Sequence, residues 1–268
     1  MSSHPFPLSA YVQLCTYLPA RASSFSWRKW GLLYRNAFNP SCYDANHAVI
    51  LDLSCDLLEA LQEIEGYYAR RLLTPRIYSG FVPGEEERLL PLLRENGWVV
   101  EYETAEVYLH TSPCPLPADG FSFERPKELT AEVAALLLIF GGDWSLGKGE
   151  YYLAHPDCDS YAARAEDGTL ASFLYIHREA GCAVIRGVVT LPEYRNRGLC
   201  TNLVRAAITD FRKSWPNMPL FLEAEDETAI RIYEKAGFTR FEAPREWTAY
   251  KPLPEDVESD CANSAEGL

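Results

Sequence analysis

Gly187-Val-Val-Thr-Leu-Pro-Glu-Tyr-Arg-Asn-Arg-Gly-Leu-Cys-Thr-Asn-Leu-Val204 is the stretch that decides the fold. Val188, Val189 and Thr190 are β-branched and read as the end of a strand. Arg195-Asn196-Arg197 is a short basic loop, and Gly198 opens a strongly periodic helix. A strand, loop and helix in that order bring free backbone N–H groups, a helix N-terminus and two guanidinium groups to one point, which makes a seat for a phosphate or pyrophosphate. The loop is not a Walker loop, because it lacks the Gly-Lys-Ser/Thr ending, nor a dinucleotide fingerprint, because it has one glycine rather than three.

Outward from this stretch, Cys200, Leu203, Val204, Ala207, Ile208 and Phe211 make one apolar stripe of a helix over 198–213. Upstream, strands are expected near 159–166, 169–177 and 182–190, with Asp167-Gly168 as a hairpin turn and Gly187 as a bulge. A helix over 127–140 is stopped by Gly141-Gly142, and 143–156 reads as helix or loop. Downstream come a strand at 219–225, a helix at 227–236 capped by Asp226, Gly237 as its left-handed stop, and one or two strands at 238–250. The N-terminal portion repeats the series: strand 47–53, helix 55–71, strand 76–81, helix 84–96 closed by Gly97-Trp98, strands 98–110. The same β-α-β-α-β order twice implies a degenerate internal repeat. The Pro-rich segment Thr111–Gly120 separates the copies, giving expected domains at 1–112 and 120–251 and an acidic, disordered tail at 252–268. The aromatic run Phe25–Tyr34 reads as a helix packing its stripe on the fold.

With 268 residues, 47% apolar and 24% charged, the chain can bury a sizeable core. A net charge of −13 excludes a phosphate-dominated nucleic-acid binder and suits a cationic acceptor, although such acidity is commonly a solubility feature. No apolar run is long enough to span a membrane, and the N-terminus lacks the basic-then-apolar order of a signal peptide, so a cytoplasmic protein is expected. The eight cysteines include no Cys-x-x-Cys pair and read as free thiols. His155-Pro-Asp-Cys-Asp159 has metal-ligand residue types but no partner cluster, so no metal is expected.

Arg195-Asn-Arg-Gly198-Leu-Cys200 resembles the Arg/Gln-x-x-Gly-x-Gly/Ala motif of the GCN5-related N-acetyltransferases, and Val188-Val-Thr-x-Pro-x-Tyr-Arg before it is similar to that family as well. Ala229-Ile-Arg-Ile-Tyr233-Glu-Lys-Ala-Gly237-Phe238 looks like the family's Ala-x-x-x-Tyr-Glu-Lys-x-Gly-Phe segment. The resemblance covers roughly residues 120–250. It implies an α/β fold with a mixed, centrally splayed sheet flanked by helices, preceded by a partial copy, and transfer of an acetyl group from acetyl-CoA to an amine. It places the CoA pyrophosphate on the amides of Asn196, Arg197, Gly198, Leu199, Cys200 and Thr201, with charge from Arg195 and Arg197. The pantetheine arm lies along Val188, Val189 and Thr190, one of whose amides stabilises the oxyanion.

Within that reading, Tyr233 is the general acid that protonates the departing thiolate, since a tyrosine keeps its proton at neutral pH. Glu223, on strand 219–225 beside the splay, leads the candidates for general base, ahead of Glu225, Glu150 and His177. Two features depart from the family. Cys200 stands where Gly or Ala is usual, and the first copy carries Asp52-Leu-Ser-Cys-Asp56 at its phosphate-loop position, which should repel a pyrophosphate. The expected acceptor is a small-molecule or peptide amine, the expected assembly a monomer or homodimer. The other reading is a non-catalytic acyl-CoA-binding regulatory module.

Overall fold

A computed structural model describes residues 5–252; the expected tail beyond lies outside the described residues. In chain order the elements are helix α1 (Pro5–Tyr17), strands β1 (Ser24–Arg28), β2 (Gly31–Arg35) and β3 (Ala48–Ile50), α2 (Leu57–Ala69), β4 (Arg76–Tyr78), α3 (Leu90–Glu95), β5 (Val99–Tyr102) and β6 (Glu106–His110). There follow α4 (Ala131–Gly141), α5 (Asp143–Ala154), β7 (Cys158–Arg164), β8 (Leu170–Glu179), β9 (Cys182–Thr190), α6 (Leu199–Ser214), β10 (Leu220–Ala224), α7 (Glu227–Lys235), β11 (Phe238–Arg240) and β12 (Trp247–Tyr250). They form two compact units that interleave in sequence: residues up to 22 with 104–243, and 23–103 with residues from 244 onward.

The first unit holds a six-stranded sheet ordered β11-β6-β10-β9-β8-β7, antiparallel except for β9 and β10. Two turns set its meander. Gly168 takes φ +88 in the expected hairpin, and Ala180-Gly181, both at positive φ, make a two-residue loop between Glu179 and Cys182. One face buries Leu174, Ile176, Ile185 and Leu222 under Leu203, Val204, Ile208 and Phe211 of α6, the apolar stripe read from sequence. The other face is covered by α4 and α5, with Val133, Leu136 and Leu153 on Phe173 and Val189, and by α1, with Tyr11 and Leu14 on Val184 and Phe221.

The second unit repeats the theme with sheet order β1-β2-β3-β4-β12-β5 and a parallel β3–β4 pair. Its core joins Leu61, Ile64 and Tyr68 of α2 to Leu90 and Leu93 of α3, Ile50, Ile77, Trp98 and Trp247. Seven cysteines among the described residues are free thiols. No helix of the described residues is long and apolar enough to cross a membrane.

Three expectations are corrected. The strands expected at 98–110 do not share a sheet: β5 pairs with β12 in one, and β6 lies between β10 and β11 in the other. The pair of strands at 238–250 is split between the sheets in the same way, β11 in one and β12 in the other, and the units do not follow the boundaries expected at 112 and 120. Strand pairing is non-local, and an alternating pattern names a buried face without naming its neighbour. The aromatic run Phe25–Tyr34 is a hairpin, not a helix: Phe25 faces Tyr34 and Trp27 faces Leu32 across it. Gly31 makes this possible, since a Cβ there would meet the Val49 carbonyl oxygen at 2.0 Å.

The helix expected at 84–96 opens with a π turn, Glu85–Leu89, before α3. Its first residue, the buried Glu85, accepts from the amides of Gly80 (2.9 Å) and Val82 (3.1 Å) and from Trp247 Nε1 (3.0 Å), tying the turn to β12. Burial lifts the Glu85 carboxyl above its ordinary 4.5 despite these donors. A raised folded value means its contribution to stability is complete below about 4.5 and is lost as pH rises through the folded pKa. The stability difference between the wild type and Glu85→Gln, measured by urea unfolding from about pH 4 to about pH 8, is therefore expected to fall with pH; a flat or rising difference contradicts the assignment.

Candidate active site

The basic loop is shaped by backbone conformation. After the short 3₁₀ turn Pro192–Tyr194, Asn196 and Gly198 both sit in the left-handed region, at φ +61 and +78. Gly198 is the N-cap of α6, and the first bond into the helix is Asn202 N–H to Gly198 O, 3.0 Å. The amides of Leu199, Cys200 and Thr201 thus precede any i−4 partner and project from the positive end of a sixteen-residue helix. Arg195 Nε donates to Thr190 O (3.1 Å), holding that guanidinium against the strand end, while the Arg197 guanidinium lies 5.2 Å from the centre of the Tyr194 ring. The Tyr194 hydroxyl in turn donates to Asp167 Oδ2 (2.6 Å), which pins the loop to the β7–β8 hairpin and holds the Asp167 carboxyl below its usual range. Arg195, Asn196, Arg197 and Gly198 are exposed.

The strands below this loop separate. β9 and β10 pair in parallel over Ala183–Ile185 and Leu220–Leu222 only, although β9 continues to Thr190. Just past the last paired residue the register slips: Phe173 faces Val189 while Tyr175 faces Arg186, so Gly187 and Val188 oppose one residue of β8. Gly187 makes this bulge at φ +65, as its residue type suggested, and the Tyr175 ring fills the space where its Cβ would stand. The bulge sends Val188 to the α6 side and Val189 to the α4 side.

On the α6 side Tyr233, Cys200 and Val188 belong to one cluster, with Tyr233 6% exposed. Burial, then Cys200 and Asp226, push the Tyr233 hydroxyl well above its ordinary pKa, so it stays protonated through the physiological range. Burial likewise pushes the Cys200 thiol up to about 11, against a hydrogen bond with Thr190. Thr190 closes the group through Ser172, 2.9 Å away. Asp226 caps α7, accepting from Ala229 N (2.8 Å), and Gly237 ends it at φ +98, both as expected.

On the opposite side Glu223 is already engaged. Arg186 Nη2 lies 3.1 Å from each of its oxygens, and the Tyr11 hydroxyl donates to Oε1 at 3.0 Å. Of the other carboxylate candidates, Glu150 is exposed and Glu225 accepts from Thr104. His177 is fully buried, with Nε2 3.8 Å from Cys158 Sγ, and burial then Arg186 keep it neutral. His155, Asp157 and Asp159 are taken up by Arg21, Arg178 and Arg125. Sequence reasoning missed Arg186 and Tyr11. The spacing Ala10, Tyr11, Leu14, Leu18 was the available signal for α1, whereas nothing local joins Arg186 to Glu223, 37 positions away.

The equivalent place in the second unit is filled by its own chain. Asp52 Oδ1 accepts from Ser54 N (2.8 Å) and Ser54 Oγ (2.6 Å), and Asp56 caps α2 through Glu59 N (3.1 Å). Beyond the β3–β4 pair, a Cβ on Gly80 would meet the Ile50 carbonyl oxygen at 2.7 Å, so these strands stay together where β9 and β10 part.

Residues 131–238 match the profile of the acetyltransferase (GNAT) family. Solved structures similar to the chain include a GCN5-related N-acetyltransferase from Kribbella flavida, with 19% identity, TM-score 0.62, 94% of this chain and 97% of that one. A GCN5-related N-acetyltransferase-like protein from Streptococcus suis shares 11% identity with TM-score 0.51, over 93% of this chain and 99% of that one. A tandem GNAT protein from the clavulanic acid biosynthesis pathway shares 14% identity with TM-score 0.54, over 77% of this chain and 76% of that one. No curated protein matches the chain. The α/β architecture of the chain is similar to that of these structures, one of which is titled a tandem GNAT protein.

The two site glycines should behave differently. Gly198→Ala incurs only the left-handed backbone cost, about 1–2 kcal/mol, because its nearest neighbour would be Asn202 Nδ2 at 3.6 Å. Gly187→Ala adds a 2.9 Å clash with Tyr175 Cδ2 and is expected to destabilise more, by about 2–4 kcal/mol in urea unfolding; equal losses contradict the bulge assignment.

Proposed function

We propose that this chain, which carries a domain of the acetyltransferase (GNAT) family at residues 131–238, is an N-acetyltransferase that moves an acetyl group from acetyl-CoA to a primary amine by direct attack. The observation that carries the reading is the convergence of the α6 N-terminus, the free stretch of β9 and the Tyr233 hydroxyl at the point where β9 and β10 part. Each supplies one requirement of acyl transfer from a thioester.

Asn196–Thr201, with Arg195 and Arg197, would hold the pyrophosphate of the cosubstrate, as backbone amides at a helix N-terminus hold anions generally. Cys200 is small enough to keep the close approach that Gly or Ala gives. The strand edge at Val188–Thr190, which β10 does not pair, would take the pantetheine arm by strand addition and offer an amide to the oxyanion. Glu223 would accept the proton of the attacking amine, and Tyr233 would give one to the departing thiolate. The raised pKa keeps the Tyr233 hydroxyl protonated until the thiolate develops. The cysteines have no nucleophilic part in this reading: burial holds Cys200 as a thiol, and it does the same to Cys158, the cysteine beside His177.

The N-terminal half is a non-catalytic copy in this reading, because Asp52 and Asp56 occupy the amides a pyrophosphate would need. A small-molecule or peptide amine is the acceptor.

Tyr233→Phe separates catalysis from binding. Acetyl-CoA affinity by titration is expected to change less than about twofold, while CoA release with a productive amine falls about 10²-fold. Unchanged turnover would remove the acid role from Tyr233. Tight acetyl-CoA binding without release across a broad amine panel would favour the regulatory module instead.

A further inference from the structure

A cavity of about 550 Å³ lies in the first unit at the far end of α6 from the basic loop. Its walls are the segment 109–116 that continues from β6, the last two turns of α6, and the turn 216–219 that leads into β10. Arg212, in this lining, follows Gly198 by four turns of helix, about 21 Å along the axis. The cavity is therefore separate from the α6 N-terminus and from the place where β9 and β10 part. Its volume is in the range that holds a small organic molecule.

Arg212 is a desolvated cation without a countercharge. The partly buried guanidinium groups of Arg21, Arg125, Arg178 and Arg186 each meet a carboxylate, whereas Arg212 has none among the described residues. Its partners are neutral. Nη1 donates to the carbonyl oxygens of Met218 (2.5 Å) and Trp215 (3.3 Å), which closes the helix end, and Nη2 donates to His110 Nδ1 at 3.1 Å. Nε has no partner among the described residues. Burial lowers the Arg212 pKa, and burial followed by the Arg212 charge pushes His110 down to about 4, so the imidazole is a neutral acceptor and not a second cation. In a chain with 38 acidic and 25 basic side chains, a cation set into a cavity wall without a carboxylate is left for an anion from outside the chain.

The rest of the wall describes the body of that anion. Pro113, Leu116, Ile208, Pro216 and Met218 give it an apolar surface, and Leu116 remains 72% exposed at its edge. One guanidinium balances one negative charge, and its fork of N–H donors matches a carboxylate, whereas a phosphate dianion would bring charge that nothing in this lining balances. We infer that this cavity is a second binding site, for an amphipathic monocarboxylate: the carboxylate meets Arg212 through Nε and Nη2, and the hydrocarbon body lies over Leu116 and Met218. The site stands independently of acetyl transfer, because it shares no residue with the basic loop, β9 or Tyr233.

Isothermal titration of the full chain with octanoate and with octanamide, each with and without saturating acetyl-CoA, tests this. Octanoate is expected to bind at one site per chain, about tenfold or more tightly than the amide, and equally well in both conditions. Arg212→Met should weaken octanoate about tenfold and change octanamide by less than about twofold. Because Arg212 also holds the helix end, Leu116→Asp supplies a second variant at an exposed position: its added charge should weaken octanoate about tenfold or more with the unfolding temperature unchanged. No binding of octanoate, equal binding of acid and amide, or octanoate binding that Leu116→Asp leaves intact would overturn the inference. Displacement of octanoate by acetyl-CoA would overturn it as well, by placing the acid in the cosubstrate seat; each of these results leaves acetyl transfer standing.

Discussion

A parallel strand pair that stops after three residues governs this protein. Ala183–Ile185 pair with Leu220–Leu222, and beyond them β9 bulges at Gly187 while β10 runs on to Ala224 paired with β6 along its other edge. Each ladder bond lost on parting leaves polar backbone that wants a partner, and a molecule with amide and carbonyl groups of its own can supply it. The bulge also decides which side chains look which way. It sends Val188 toward Cys200 and Tyr233, and leaves Arg186 with Glu223 on the opposite face. The proposed cosubstrate seat and the proposed base thereby fall on separate sides of one sheet.

The second unit shows what the same topology does without that constraint. Its parallel β3–β4 pair is followed by Gly80, which lies against the Ile50 carbonyl, so the strands stay together there. Its helix N-terminus is no less positive in principle, yet Asp52, Ser54 and Asp56 satisfy the local donors from within the chain. The two units thus share an architecture, while the parting of a parallel strand pair is seen in the first unit.

Much of the first unit was legible because its determinants are local. Gly168, Gly187, Gly198 and Gly237 all adopt positive φ, and Asp226 caps the helix it precedes; each reads from its own neighbourhood. The aromatic run at 25–34 misled because large apolar residues serve a helix stripe and a hairpin equally, and Gly31 is decided by contact with Val49, distant in sequence. The exchange of β6 and β12 between sheets was invisible for the same reason. At the candidate site, the basic loop at 195–198 and Tyr233 came from short motifs. Arg186 did not, because its significance lies in an ion pair closed only by folding.

The central claim is that one of two related halves retains a cosubstrate seat. Isothermal titration with acetyl-CoA tests it most directly. A stoichiometry of one molecule per chain, lost when Arg195 and Arg197 are replaced together by glutamate, is the result this account predicts. Two equivalent sites per chain, or one that survives that replacement, would contradict it.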